Sequence, residues 1–143
     1  MSRKDKGHFG AKHEGVQLDP AIAAALRAKA PSGGLSCAEA EGIAKKMKAA
    51  MKDIGVALDL LEIRIEACQL GLFGYESGKK AVKPLDRVSE SLRLSIQKAL
   101  SGGRLPCIDA WRIAGELGLP RRDVADACEA LGIKVSACQL GAF

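Results

Sequence analysis

The chain has 143 residues, a net charge of +5 from 22 Lys and Arg against 17 Asp and Glu, 48% hydrophobic residues and 3% aromatics. That apolar fraction excludes wholesale disorder, and no run of about 18 apolar residues is present to cross a membrane. The charged opening is not a secretory leader and the five cysteines are odd in number, so the expectation is a cytoplasmic protein with no disulfide framework and a core of Ala, Leu, Ile and Val.

Residues 1–18 read as a basic, disordered tail that carries Arg3, Lys4, Lys6 and Lys12. His8 and His13 lie there too, five apart, and are better taken as solvated residues than as a metal pair. Asp19-Pro20 opens a helix with proline in its first turn, running through Ile22, Leu26 and Ala30 to a stop at Ser32-Gly33-Gly34. Ser36 and Glu39 then form a capping box for a second helix. A third follows, with Asp53 near its start, where a carboxylate complements the helix dipole. Ile63-Arg64-Ile65-Glu66-Ala67 alternates in period two and predicts a strand.

The same plan recurs at an offset of 70 residues. Ala67-Cys68-Gln69-Leu70-Gly71-Leu72-Phe73 returns as Ala137-Cys138-Gln139-Leu140-Gly141-Ala142-Phe143, and 15 of the 39 positions from 35 to 73 are identical without a gap. Such self-similarity marks a duplicated structural module. In the second copy a helix is predicted over about 85–100, with Val88, Leu92, Ile96 and Leu100 at helical spacing. Pro106 tolerates the next helix start. Ala110, Ile113, Ala114 and Leu117 supply its buried stripe, and Gly118-Leu119-Pro120 breaks it. A third helix runs from Arg121 to Leu131, ended by Gly132. Ile133–Ala137 predicts another strand. The domains are therefore a tail (1–18), a first module (19–75), a linker (76–84) and a second module (85–143).

Three helices, a tight turn and a following strand resemble the winged helix-turn-helix family. The resemblance rests on Ala114, where a small residue lets helices cross, Gly118, where the turn takes positive φ, and Val124, a β-branched anchor. It covers roughly 40 residues per module. The fold class expected is mainly α, with two tandem winged-helix-like three-helix modules, each followed by a short strand. Two departures stand out. Lys48 replaces the turn glycine in the first module, which suggests a helix that continues through the turn and a module that is degenerate or differently bent. The second module ends where a wing needs its return strand, so either the chain is truncated or the two strands are used otherwise, for example by pairing with each other.

The resemblance implies binding to double-stranded DNA by a monomer or homodimer that regulates transcription. Arg121 and Arg122 would enter the major groove at the start of the third helix. Lys45, Lys48 and Lys52, spaced to share one helical face, would hold phosphates with Lys134 and the basic segment 79–104. The charge distribution agrees only in part: residues 74–104 carry net +4, but 35–73 and 105–143 each carry net −1. The rival reading is a protein-interaction module that docks a partner through the acidic third helices.

Cys37, Cys68, Cys107 and Cys138 recur in both modules at a spacing of 31. Four thiols meeting around a metal, or a redox switch with Cys37 and Cys107 at helix N-termini, is the sharper reading. No Cys-x-x-Cys pair supports it, and buried structural cysteine is the plainer one. No catalytic constellation is present, so neither an enzyme nor a cofactor is expected. Gln69 and Gln139 fit a turn that requires glycine better than a wing-tip contact. Trp111, the sole tryptophan, is expected at a contact between modules.

Overall fold

The computed structural model describes residues 18–75 and 80–143. Among them the protein is mainly helical, with six helices and short strands. The basic tail with His8 and His13 lies outside the described residues. No described helix is long and apolar enough to cross a membrane. The chain divides into two compact units. One contains the residues up to Ala67 together with Leu140–Ala142, and the other contains Cys68–Gln139 with Phe143. The units therefore part between Ala67 and Cys68 rather than at the linker 76–84. Leu140–Ala142, the tail of the second repeat, belongs to the first unit.

The first unit starts with α1 (Pro20–Lys29). Its N-cap Asp19 accepts a hydrogen bond from the Ala21 amide, and Pro20 fills the first turn, where no amide partner is lost. β1 (Gly34–Ser36) leads directly into α2 (Cys37–Met47). The predicted capping box is present. Ser36 Oγ accepts from the Glu39 amide at 3.1 Å, and the Ser36 amide donates to Glu39 Oε1 at 3.2 Å. The bond from the Ser36 amide, with that from its hydroxyl, holds the Glu39 carboxyl below the usual carboxylate range. α3 (Met51–Leu60) follows, then β2 (Arg64–Glu66).

The turn between α2 and α3 corrects the reading of a degenerate module. Lys48 ends α2 in the left-handed conformation, φ 53° and ψ 40°. Gly118 does the same in the second unit, φ 66° and ψ 34°. The following amides close both turns alike: Ala49 donates to Ala44 O and Leu119 to Ala114 O, each at 2.9 Å. The helix does not continue through the first turn. Lysine simply occupies a conformation that glycine adopts at lower cost.

The second unit repeats the order with α4 (Glu90–Ala99), β3 (Leu105–Pro106), α5 (Cys107–Leu117), α6 (Arg121–Leu131) and β4 (Val135–Ser136). The helix expected from residue 85 starts five residues later. Ser89 caps it by accepting from the Leu92 amide, while the Leu85 amide is held by Asp126 O. Leu105, Ile113, Val124 and Ile96 are fully buried, and Ala114 is 2% exposed. Ala114 and Val124 are thus buried, and Gly118 is left-handed. Several positions kept in both repeats are core: Leu35 and Leu105, Ala40 and Ala110, Ile43 and Ile113, Ala57 and Ala127 are all buried.

β2 and β4 form within the two segments whose alternation predicted strands, β1 and β3 were not expected, and the pairing differs from a wing. β2 runs parallel to β1, with Leu35 opposite Ile65, and β4 runs parallel to β3, with Leu105 opposite Val135. Each pair closes within its own unit. After each strand the chain turns away through an alanine of positive φ, Ala67 at 45° and Ala137 at 52°. The recurring heptapeptide then closes into a loop. Cys68 donates to Phe73 O at 3.1 Å and Cys138 to Phe143 O at 3.0 Å. Gly71 and Gly141 supply the left-handed residue within it, at 81° and 79°. The repeated motif is therefore a backbone device that needs glycine, as expected.

Gly55 has a separate purpose. A Cβ built there would lie 2.1 Å from the carbonyl oxygen of Leu140. The absent side chain lets Leu140, 3% exposed, press its backbone onto α3 within the first unit.

Candidate nucleic-acid interface

The residues expected to read DNA are placed very differently in the two units. In the second unit, Arg121 and Arg122 are turned onto their own unit. Arg121 Nη1 donates to Gln69 Oε1 at 2.8 Å, and its guanidinium lies 3.7 Å from the centre of the Trp111 ring. Arg122 Nη2 donates to Ala81 O at 2.7 Å, with its guanidinium 5.5 Å from the Tyr75 ring. Its Nε is buried without a hydrogen-bond partner, because it lies against Gly71, where an added Cβ would come within 2.8 Å. Trp111 is half-buried against the core of this unit.

The exposed side of α6 is also covered. The Lys83 amide donates to Asp126 Oδ1 at 2.9 Å, the Leu85 amide to Asp126 O at 3.3 Å, and Lys80 Nζ lies 2.7 Å from Glu129 Oε1. Residues 80–85 thus run alongside the helix that the winged-helix resemblance would send into the groove. Asp126 and Glu129, acidic residues of α6, are the groups that hold this segment. Asp123 stands in the first turn of α6 and Asp53 in that of α3, as expected for charges at a helix N-terminus.

The first unit presents a different surface. Lys45, Lys48 and Lys52 do not share one helical face. Lys45 lies on the last turn of α2, Lys48 is its left-handed cap, and Lys52 is on the first turn of α3. They are grouped by the turn instead, and Lys46 joins them. All four are exposed. Lys45 pairs with Glu41 at 3.4 Å but its side chain remains 74% exposed. Among the described residues Lys46, Lys48 and Lys52 have no ion pair. The matching positions in the second unit are Gly115, Glu116, Gly118 and Arg122, so the basic turn is a property of one repeat. Lys46 was missed in the sequence although it stands in the pair Lys45-Lys46. It lies off the helical face that the spacing of Lys45, Lys48 and Lys52 defines.

Lys134 is exposed in the second unit, just before β4, and lines a cleft there rather than extending the α6 surface.

Of the recurring cysteines, Cys68 and Cys138 lie close enough to Cys107 to bear on its thiol. Cys37 belongs to the first unit, and Cys68, Cys107 and Cys138 to the second. No described group of three or more His, Cys, Asp or Glu is arranged to hold a metal. Among the described residues there is no disulfide, and of the five cysteines only Cys138 is partly exposed. Cys37 and Cys107 do open helices, where the dipole favours thiolate. For Cys107 burial wins: it pushes the thiol up to about 11, against a hydrogen bond from Gln139 Nε2 at 3.7 Å. Burial raises Cys128 to about 11 as well. Both lie far from the thiolate that redox or metal chemistry uses.

No protein-family model, no curated protein and no solved structure was found to match this chain.

Proposed function

We propose that the protein binds double-stranded DNA in a non-catalytic, regulatory role, and that the helix-turn-helix of the first unit makes the contact. The observation that carries this reading is the group Lys45, Lys46, Lys48 and Lys52 around one exposed turn. Backbone phosphates are recognised by cations at such a turn and at the first residues of the following helix. The free amides at the start of α3 add to the attraction, since Ala50 caps it without a side-chain hydrogen bond. In the second unit the corresponding helix is laced to residues 80–85, so that unit braces the fold while the first meets DNA. The winged-helix likeness is kept only for the helix-turn-helix portion, since the strands pair in parallel and form no hairpin.

The test is fluorescence anisotropy of a mixed-sequence duplex titrated over salt. Lys46→Glu, Lys48→Glu and Lys52→Glu combined should abolish binding at low salt, with the helical circular dichroism unchanged. Single Lys→Gln changes should each make the log–log salt slope shallower by about 0.9. Full binding by the triple variant would overturn the assignment. Loss of binding on substituting Lys134 alone would move the interface to the second unit.

A further inference from the structure

We propose that the second unit binds a small amphipathic carboxylic acid in a cleft beside β4. The reading is independent of where DNA binds. The cleft measures about 450 Å3, within the range of pockets that hold small organic ligands. Its apolar wall comes from Leu72, Ile133, Val135 and Phe143, with Ala125 and Cys128 beneath. Its charged rim is formed by Lys80, Arg104 and Lys134, with Glu129 as the one carboxylate.

The rim charges are not equivalent. Lys80 is already neutralised by Glu129 at 2.7 Å. Arg104 and Lys134 have no ion pair among the described residues. The parallel pairing places them side by side: Leu105 lies opposite Val135, and the Leu105 amide donates to Lys134 O at 2.9 Å. Arg104 and Lys134 immediately precede the two strands. Both line the same cleft, and like charges on neighbouring segments repel. A bound carboxylate relieves that repulsion and accepts charge-assisted hydrogen bonds from both. The apolar wall below is the place for its hydrocarbon part.

The duplicated unit supplies the contrast. At the matching positions the first unit has Gly34 and Arg64, and where the second has Ser136 the first has Glu66. Glu66 pairs with Arg64 at 3.3 Å. One copy thus carries its own carboxylate at this rung. The other has serine in its place and a second cation, and both cations line the cleft.

The experiment is isothermal titration calorimetry of the full chain with octanoate, octylamine and octanol as probes. Octanoate should bind saturably, octanol at least about tenfold more weakly for want of the charged contact, and octylamine not at all. Amide shifts in 15N spectra should locate the change at 133–137. Arg104→Gln with Lys134→Gln should weaken octanoate about tenfold or more. Ser136→Glu should abolish it by restoring the internal carboxylate of the other repeat. Both sites are on the surface, so folding is checked by an unchanged melting temperature. Absence of saturable octanoate binding, or equal binding by wild type and both variants, overturns the proposal. So does a double variant that keeps octanoate but loses DNA affinity, because the two cations would then be phosphate contacts.

Discussion

Exchanging the two turn residues separates the cost of a backbone conformation from the benefit of a charge. Lys48 stands at φ 53° where the other repeat has glycine at φ 66°. A side chain in the left-handed region costs roughly 1–2 kcal/mol. Replacing it by glycine returns about 0.4–1 kcal/mol to the unfolded chain as added entropy. Lys48→Gly should therefore stabilise the protein by about 0.5–1 kcal/mol, or about 2–5 °C in Tm for a chain of this size. Gly118→Lys should cost a similar amount. Binding should move the opposite way: Lys48→Gly removes one phosphate contact and makes the salt slope shallower by about 0.9, while Gly118→Lys leaves it unchanged. Thermal melts and salt-titrated anisotropy on the same samples read both effects. A lower Tm for Lys48→Gly would refute the reasoning, since the lysine would then be stabilising the turn rather than straining it.

Gly55→Ala should destabilise by about 1–3 kcal/mol, because the new methyl meets the Leu140 carbonyl, outweighing the roughly 1 kcal/mol that alanine gains in a helix; urea midpoints check this, and a stabilised variant would deny the docking of 140–142 in the first unit. Arg121→Ala should lower stability by about 1–3 kcal/mol through loss of the Gln69 bond and the Trp111 contact, while DNA affinity of the folded protein stays within about twofold; unchanged stability with lost DNA binding would restore α6 as the reading helix. Burial pushes the Cys107 and Cys128 thiols up to about 11, from the ordinary value of 9.0. Burial of the neutral form thus contributes stability that is present in full below pH 9 and is lost as pH rises from there through 11. Denaturant melts should show that alkaline loss, and at neutral pH an aromatic disulfide reagent should modify both thiols only as fast as the chain unfolds.

The helices were legible because their signals are local. Asp19-Pro20, the Ser36–Glu39 box, Gly118-Leu119-Pro120 and Gly132 each mark a boundary that backbone chemistry imposes whatever surrounds it. The repeat was legible too. It identified the positions that the core needs, since Leu35, Ala40 and Ile43 are buried like Leu105, Ala110 and Ile113. The left-handed turn at Lys48 was misread because lysine rarely takes that conformation, and only the packing of α2 against α3 compels it.

The amino-acid sequence by itself determined the order of the helices, the duplication and the strands β2 and β4, and the helix boundaries are set by interactions over a few residues. Tertiary structure decided what no local pattern encodes. It paired the strands in parallel, assigned Leu140–Ala142 to the first unit and turned Arg121 and Arg122 onto residues 69 and 81. It also grouped four lysines around one turn and set Arg104 beside Lys134. Each of these depends on residues tens of positions apart meeting in space, and a charge or a strand edge has no fixed partner until the chain has folded.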